Sequence, residues 1–462
     1  MTPRKLCSYT RTCTKYATNA LMPNYFHQVA AQEARHRDKP GKRFGYGYDH
    51  ENNWLFQLPI VRLYSGVPMV AIFFMISGYA LALKPLSHIR SGSWDQLTDS
   101  IGSAIFRRGI RLFLPAFVTT FLVMISIRLR LQDFPGYSIL PGVIEPRPRH
   151  FAGHYEQLLN WCHFFVAELT NPWDWKVHDY AYDSHLWTLP IEFRASMILF
   201  LFPICISRFQ LLFRSVLASA LWIYCMYCDK WHVALFISGM CFADISLETR
   251  PSLQNRTSYK HLVYILPLLI LGLHLLSFPI RHSGETMGYI WLSSITAKYT
   301  NWHTIGATLV LWSLNSSEVL ENMFTSSFSG YLGKISYALY HVHGSALHTF
   351  EYGTVSFIWT VIGKETRIKY EGGLILGFLL VAPVVFWWAD VFERLVDRPS
   401  VEVARWLYVR VFLADWKLLI GSQMSAGWHA GSTRKSNTFA RWYKRATPRV
   451  HSQRTSLKIE VN

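Results

Sequence analysis

Charge is what this chain has least of. Only 16% of its 462 residues are Asp, Glu, Lys or Arg, against 51% hydrophobic, where a soluble chain carries about a quarter charged residues. That shortfall excludes an ordinary water-soluble globule. Cysteine is sparse as well. Cys7, Cys13, Cys162, Cys205, Cys225, Cys228 and Cys241 make neither a disulfide framework nor a zinc pattern. The CxxC of Cys225 and Cys228 falls in an apolar run, where cysteine behaves as a small apolar residue. No Walker loop, HExxH, GxSxG or internal repeat is present. Residues 1–32 lack the apolar stretch of a secretory signal.

What is present is long apolar sequence. Nine blocks stand out: Pro59–Leu83, Ile110–Ile127, Leu186–Ile206, Phe209–Cys228, Trp231–Leu247, His261–Phe278, Trp302–Leu314, Gly330–Phe350 and Gly372–Phe392. A helix crossing a hydrocarbon core needs about 20 mostly apolar residues. Backbone groups in lipid must be satisfied within a helix or a closed barrel, and these blocks lack the alternation of barrel strands. The expectation is an all-α, polytopic helix bundle of nine spans. Aromatic residues crowd the block edges, as at Trp187, Trp231, Trp302, Trp387 and Trp388, where amphipathic rings favour the headgroup level.

Cytoplasmic segments near span ends are rich in Lys and Arg. Arg107, Arg108 and Arg111 form the densest short cluster, so the loop after the first span is placed in the cytosol. Alternation then puts Arg250, Arg256 and Lys260 inside. The tail after Gly421, with eight Lys or Arg and one acid, falls on the same side. The 58-residue stretch Arg128–His185 becomes lumenal or extracellular. The N-terminus falls on that side too, although residues 1–58 hold nine Lys or Arg against four acids and read as cytosolic. A further helix before Leu58 would resolve the conflict. The chain thus divides into a basic N-terminal region 1–58, a membrane domain 59–421 and a basic cytosolic tail 422–462. The net charge of +17 comes largely from tails and juxtamembrane loops. It fits anionic lipid rather than nucleic acid.

Ionisable residues inside membrane helices are costly and usually face a bundle interior or an aqueous cavity. Two helices carry them. In the first, His185, Thr188 and Glu192 are spaced to share one face, either as a reactive set or as a buried pair locking helices together; Arg194 points elsewhere. In the second, Ser336, Tyr340 and His343 share a face, while Tyr337, His341 and His348 lie on another.

Four landmarks now stand in order. They are Phe73-Phe74-Met75-Ile76-Ser77-Gly78-Tyr79, Arg107-Arg108-Gly109-Ile110-Arg111-Leu112, His185-Leu186-Trp187-Thr188 with Glu192, and Tyr331-Leu332-Gly333-Lys334-Ile335-Ser336-Tyr337 with Tyr340 and His343. Together they resemble the acyltransferase 3 family, most closely its fungal branch, over about Leu58–Phe412. The resemblance implies a membrane O-acyltransferase, in the endoplasmic reticulum or plasma membrane. It would move an acetyl or short acyl group onto a hydroxyl of a sugar, a glycan or a small natural product. Acyl-CoA would be the co-substrate, with no permanently bound cofactor and no metal. By the same analogy His343 is the base or structural hub, and His185 and Glu192 orient or accept. Arg107, Arg108 and Arg111 attract the phosphates of coenzyme A or serve only as a topology signal. Ser77, Trp187, Thr188, Ser336 and Tyr340 belong to the substrate site. The family's first helix, with its Arg and His, has no counterpart in residues 1–58, where His27 and His36 lie in polar sequence. The rival readings are a transporter-like protein and a non-catalytic relative.

Overall fold

The computed structural model describes residues 59–60, 66–131, 149–175, 180–248, 259–322, 326–363 and 366–413. The basic termini and the segment holding Arg250 and Arg256 lie outside these residues, and with them the question of a helix before Leu58. Among the described residues the chain is helical and contains no strand.

Helix α1 (Val67–Arg90) begins with Pro at its first turn, where the missing N–H costs nothing. It stops at Ser91 and Gly92, the latter at φ 66°, a conformation glycine adopts without strain. Helix α2 (Trp94–Arg128) follows at once and runs unbroken for 35 residues. This corrects the sequence reading at one point: Arg107, Arg108 and Arg111 lie in the body of a helix, not in a loop. The reason is that Leu97 and Ile101, four residues apart, bury one side of the first turns while Asp95, Gln96, Thr98 and Asp99 face out. An amphipathic stretch thereby extends the helix beyond its apolar block.

Helix α3 (His154–His163) continues as a π-helical turn, Phe164–Leu169. A 3₁₀ turn, Ser184–Trp187, leads into α4 (Thr188–Ile206). Then come α5 (Leu211–Tyr227), α6 (Trp231–Glu248), α7 (Tyr259–Leu276), α8 (Ile290–Ile295), α9 (Tyr299–Ser316) and α10 (Glu318–Asn322). Helix α11 (Ser327–Ala346) passes through a π turn, Leu347–Glu351, into α12 (Tyr352–Ile362). Helix α13 (Arg367–Phe392) is followed by a further π turn, Glu393–Asp397, and α14 (Arg398–Tyr408). The chain forms two compact units, Met1–Arg405 and Trp406–Asn462. In the second, the described residues stay helical to Leu413, with the Arg410 guanidinium 5.3 Å from the Trp406 ring centre.

Every apolar block of the sequence falls on a helix. On length and composition four stretches suffice to cross a membrane, namely Val67–Arg90, Trp94–Arg128, Ser184–Ile206 and Ile375–Val411. Three shorter apolar helices, Leu212–Tyr227, Trp231–Leu247 and Leu262–Leu276, accompany them. Helices α9 and α11, counted as spans from the sequence, belong to neither group; they carry His, Ser, Thr and Tyr in place of aliphatic residues.

The most extensive helix contact is α1 on α6, and α4 and α9 also lie on α1. Glycine permits the approach of α1 and α6. A Cβ on Gly78 would strike the Phe236 carbonyl, and one on Gly239 would strike the Met75 carbonyl and come within 2.6 Å of the Tyr79 nitrogen. In lipid, where helices gain little from hydrophobicity alone, such backbone contact is a main source of association. A second core joins α11, α12 and α13. A third, rich in aromatic rings, joins α2, α3 and residues 180–189. Helices α2, α4 and α11 meet where these cores adjoin, and the polar side chains gather there.

Candidate active site

The site starts from a capping residue. Asp183, in an extended conformation before the 3₁₀ turn, accepts a hydrogen bond from the His185 backbone N–H at 2.9 Å. The same oxygen, Oδ1, lies 3.0 Å from His185 Nδ1. One carboxylate oxygen therefore both starts the turn and takes the imidazole proton bond. Burial pushes the Asp183 carboxyl up, but the hydrogen bonds and charge of His185, with His343 beyond, outweigh it and hold the group below its ordinary value. Asp183 is ionised, and His185 carries its proton on Nδ1.

Helix α11 supplies the facing ring. The His343 and His185 ring centres are 4.3 Å apart. His343 Nδ1 donates to the Tyr340 carbonyl at 2.7 Å and approaches the Leu339 carbonyl at 3.1 Å. Both partners can only accept, so Nδ1 bears the hydrogen and Nε2 bears the lone pair. No hydrogen bond among the described residues reaches that Nε2. Tyr340 secures the pair from behind: its hydroxyl donates to the His185 carbonyl at 2.5 Å and lies 2.6 Å from Thr188 Oγ1, which must then be the donor. Gly344 makes room. A Cβ there would sit 2.9 Å from Asp183 Oδ1 and 3.0 Å from His185 Nδ1.

Glu192 is elsewhere. It lies seven residues past His185, about 10 Å along the helix. Its Oε1 accepts from Arg108 Nη2 at 2.6 Å and from Ser77 Oγ at 3.3 Å, while Oε2 has no partner. Arg108 Nε donates to Ser196 Oγ at 2.6 Å, and Ser196 in turn donates to the Glu192 carbonyl at 2.6 Å. Helices α1, α2 and α4 are thus tied by one buried ion pair with hydroxyl support. The expectation that His185, Thr188 and Glu192 share one face is met only for the first two. His185 and Thr188 meet α11, whereas Glu192, a further turn along the axis, meets α1 and α2.

The other sequence candidates take distinct places. Arg107 bonds the Ser103 carbonyl of its own helix at 3.1 Å, Arg111 is exposed, and only Arg108 turns inward. Trp187 packs half-buried between two cores, and Ser336 bonds the Gly333 carbonyl at 3.1 Å within its helix. On the other face of α11, Tyr337 donates to the Leu112 carbonyl at 2.9 Å and His341 lies 3.4 Å from Thr119. Sequence reasoning missed Asp183, Ser196 and Gly344. A capping-type residue just before the polar helix was the available signal for Asp183. Among the described residues no three His, Cys, Asp or Glu side chains converge to hold a metal ion.

The arrangement offers an accepting nitrogen, Nε2 of His343, beside an imidazole fixed by a carboxylate. Proton removal from a hydroxyl is chemistry such a group can perform. The profile of the acyltransferase domain (acyltransferase 3) matches residues 43–394. The O-acetyltransferase PaAT-1 of Phomopsis amygdali is 33% identical over 406 aligned residues, covering 78% of each chain. Acyltransferase R4 of a Phoma species is 26% identical over 400 residues, and acyltransferase clz18 of Cochliobolus lunatus 24% over 396; each covers 77% of this chain and 84% of the relative. No solved structure matches. By the extent of the profile and the likeness to PaAT-1, the chain belongs to the acyltransferase 3 family of enzymes, which transfer acyl groups other than amino-acyl groups.

Proposed function

We propose that this protein is a membrane-bound O-acyltransferase that moves an acetyl or other short acyl group from acyl-CoA to a hydroxyl of a small natural product or sugar. The observation that carries the reading is the fixed tautomer of His343, whose ring meets that of His185 at 4.3 Å between centres. His343 Nε2 takes the proton of the acceptor hydroxyl as its oxygen bonds the thioester carbonyl carbon. The C–S bond then breaks, and the proton passes from His343 to the departing thiolate. His185, held by Asp183, orients the ring pair. Arg107 and Arg111 attract the phosphates of coenzyme A, and Arg108 with Glu192 and Ser77 braces the helices around the thioester path. Sugar acceptors and small natural-product alcohols stand together as the acceptor class; the acetyl group has its support in the likeness to PaAT-1, an O-acetyltransferase.

The test is transfer of label from [¹⁴C]acetyl-CoA to a panel of terpenoid, polyketide and sugar alcohols in membranes containing the full chain. The expected result is an ester product from at least one acceptor, formed by wild type and not by His343→Ala. Equal product from both proteins overturns the role of His343.

A further inference from the structure

A second cluster lies on the opposite side of α4. Arg194 is 4% exposed, yet its Nε and Nη1 have no hydrogen-bond partner. A buried guanidinium left without acceptors is costly, and proteins rarely keep one. Its one close companion is the Trp175 ring, 4.8 Å from the guanidinium carbon. Lys230 Nζ stands 5.0 Å from the same ring centre. The His232 ring lies 5.9 Å from it, and its Nε2 is also buried and unpartnered. Arg194 and Lys230 are both within electrostatic reach of His232. Asp174 and Tyr180 lie within electrostatic reach of Arg194. Arg194 and His232 thus reach one indole with buried nitrogens that have no hydrogen-bond partner among the described residues, and Lys230 stands beside them at a half-exposed position.

We propose that Arg194, Lys230 and His232, gathered around Trp175, form a binding site for a carboxylate or phosphate group carried by a substrate of the enzyme. A guanidinium presents two parallel N–H groups that match either oxyanion, and the lysine adds a point charge. The inference rests on the acyltransferase reading for its substrate, and the placement gives that substrate a size. Arg194 is nine residues beyond His185, so the anionic group sits on the order of 10–15 Å from the reacting hydroxyl or thioester.

The experiment measures binding without turnover, so an inactive chain still answers it. Thermal unfolding of the full chain in detergent is followed with formate, inorganic phosphate or coenzyme A, against chloride at equal ionic strength. Wild type is expected to be stabilised saturably by formate or phosphate beyond chloride. Arg194→Gln should weaken that response roughly tenfold or more, the usual worth of a charged hydrogen bond. Lys230→Gln, at a half-exposed position, should weaken it severalfold and serves if Arg194→Gln does not fold. If Arg194→Gln also weakens coenzyme A, the oxyanion belongs to the donor; if coenzyme A binding is unchanged, it belongs to the acceptor. Absence of any response beyond chloride in wild type, or a full response in a folded variant, overturns the site.

Discussion

The imidazoles of His185 and His343 meet at 4.3 Å between ring centres, each with its Nδ1 already committed, one beside a carboxylate and the other to backbone carbonyls. Two histidines from helices far apart in sequence thus meet edge to face. Removal of the base should cost on the order of 10²–10⁴ in rate. We expect His343→Ala to lose most acyl transfer while inserting into membranes normally. His341→Ala, from the opposite face of α11, should be milder. Equal loss in both variants, tracked with expression, would mean that the helix and not the imidazole matters.

Asp183 acts through His185. Asp183→Asn keeps the cap but removes the charge that sets the tautomer, and a small misplacement of a reacting group costs on the order of 10² in rate. We expect kcat to fall while the donor KM stays put. Because the folded-state value of this carboxyl is depressed, its contribution to stability is present above the unfolded-state value and is lost only as pH falls through the lower folded one. The loss of stability on the acid side should therefore be smaller in Asp183→Asn than in wild type, as read by thermal unfolding across pH; identical profiles would mean that the Asp183 charge contributes nothing.

Breaking the Arg108–Glu192 pair on one side leaves a buried charge alone. Arg108→Gln or Glu192→Gln should each cost about 3–5 kcal/mol, and the double substitution should recover part of it, as read by thermal unfolding in detergent. Arg107→Ala with Arg111→Ala should instead raise the donor KM with little change in unfolding. If all of these substitutions act alike on the donor KM, the inward and outward arginines do one job.

Gly239→Ala sets a methyl against the Met75 carbonyl and should destabilise the protein by about 1–3 kcal/mol. Gly102→Ala, which meets nothing within 4 Å, should be neutral or gain about 0.5–1 kcal/mol. Matching melting temperatures for the two would show that α1 and α6 can part without loss.

Much of this fold was legible because apolar blocks and helices answer to the same physics: Leu186–Ile206 and Trp231–Leu247 are each one helix within a residue or two. Boundaries failed where polarity and helicity part company. Residues 94–106 are too polar to read as a span and still extend α2, because Leu97 and Ile101 bury one side. In the site, the pairing of His185 with His343 joins residues 158 positions apart, which no local spacing reveals. Glu192 was visible as a buried carboxylate but was set beside the wrong partner, since the angular count that residue spacing supplies ignores the rise of about 10 Å along the axis.

That angular count has an evolutionary and engineering consequence. Asp183, His185, Glu192 and Arg194 hang from one continuous stretch of turns, yet they look in three directions: to α11, to α1 and α2, and to Trp175. Adding or deleting a single residue between Leu186 and Pro190 would rotate Asp183 and His185 about 100° against Glu192 and Arg194, so that the groupings could not all be kept, although every side chain remained. The turns at Ser91–Ser93 and Ser207–Gln210 connect helices and impose no such phase. Insertions among related sequences, and successful grafts into this scaffold, should therefore fall in those turns and spare the interval from Asp183 to Arg194, whose length is set by rotation and not by reach.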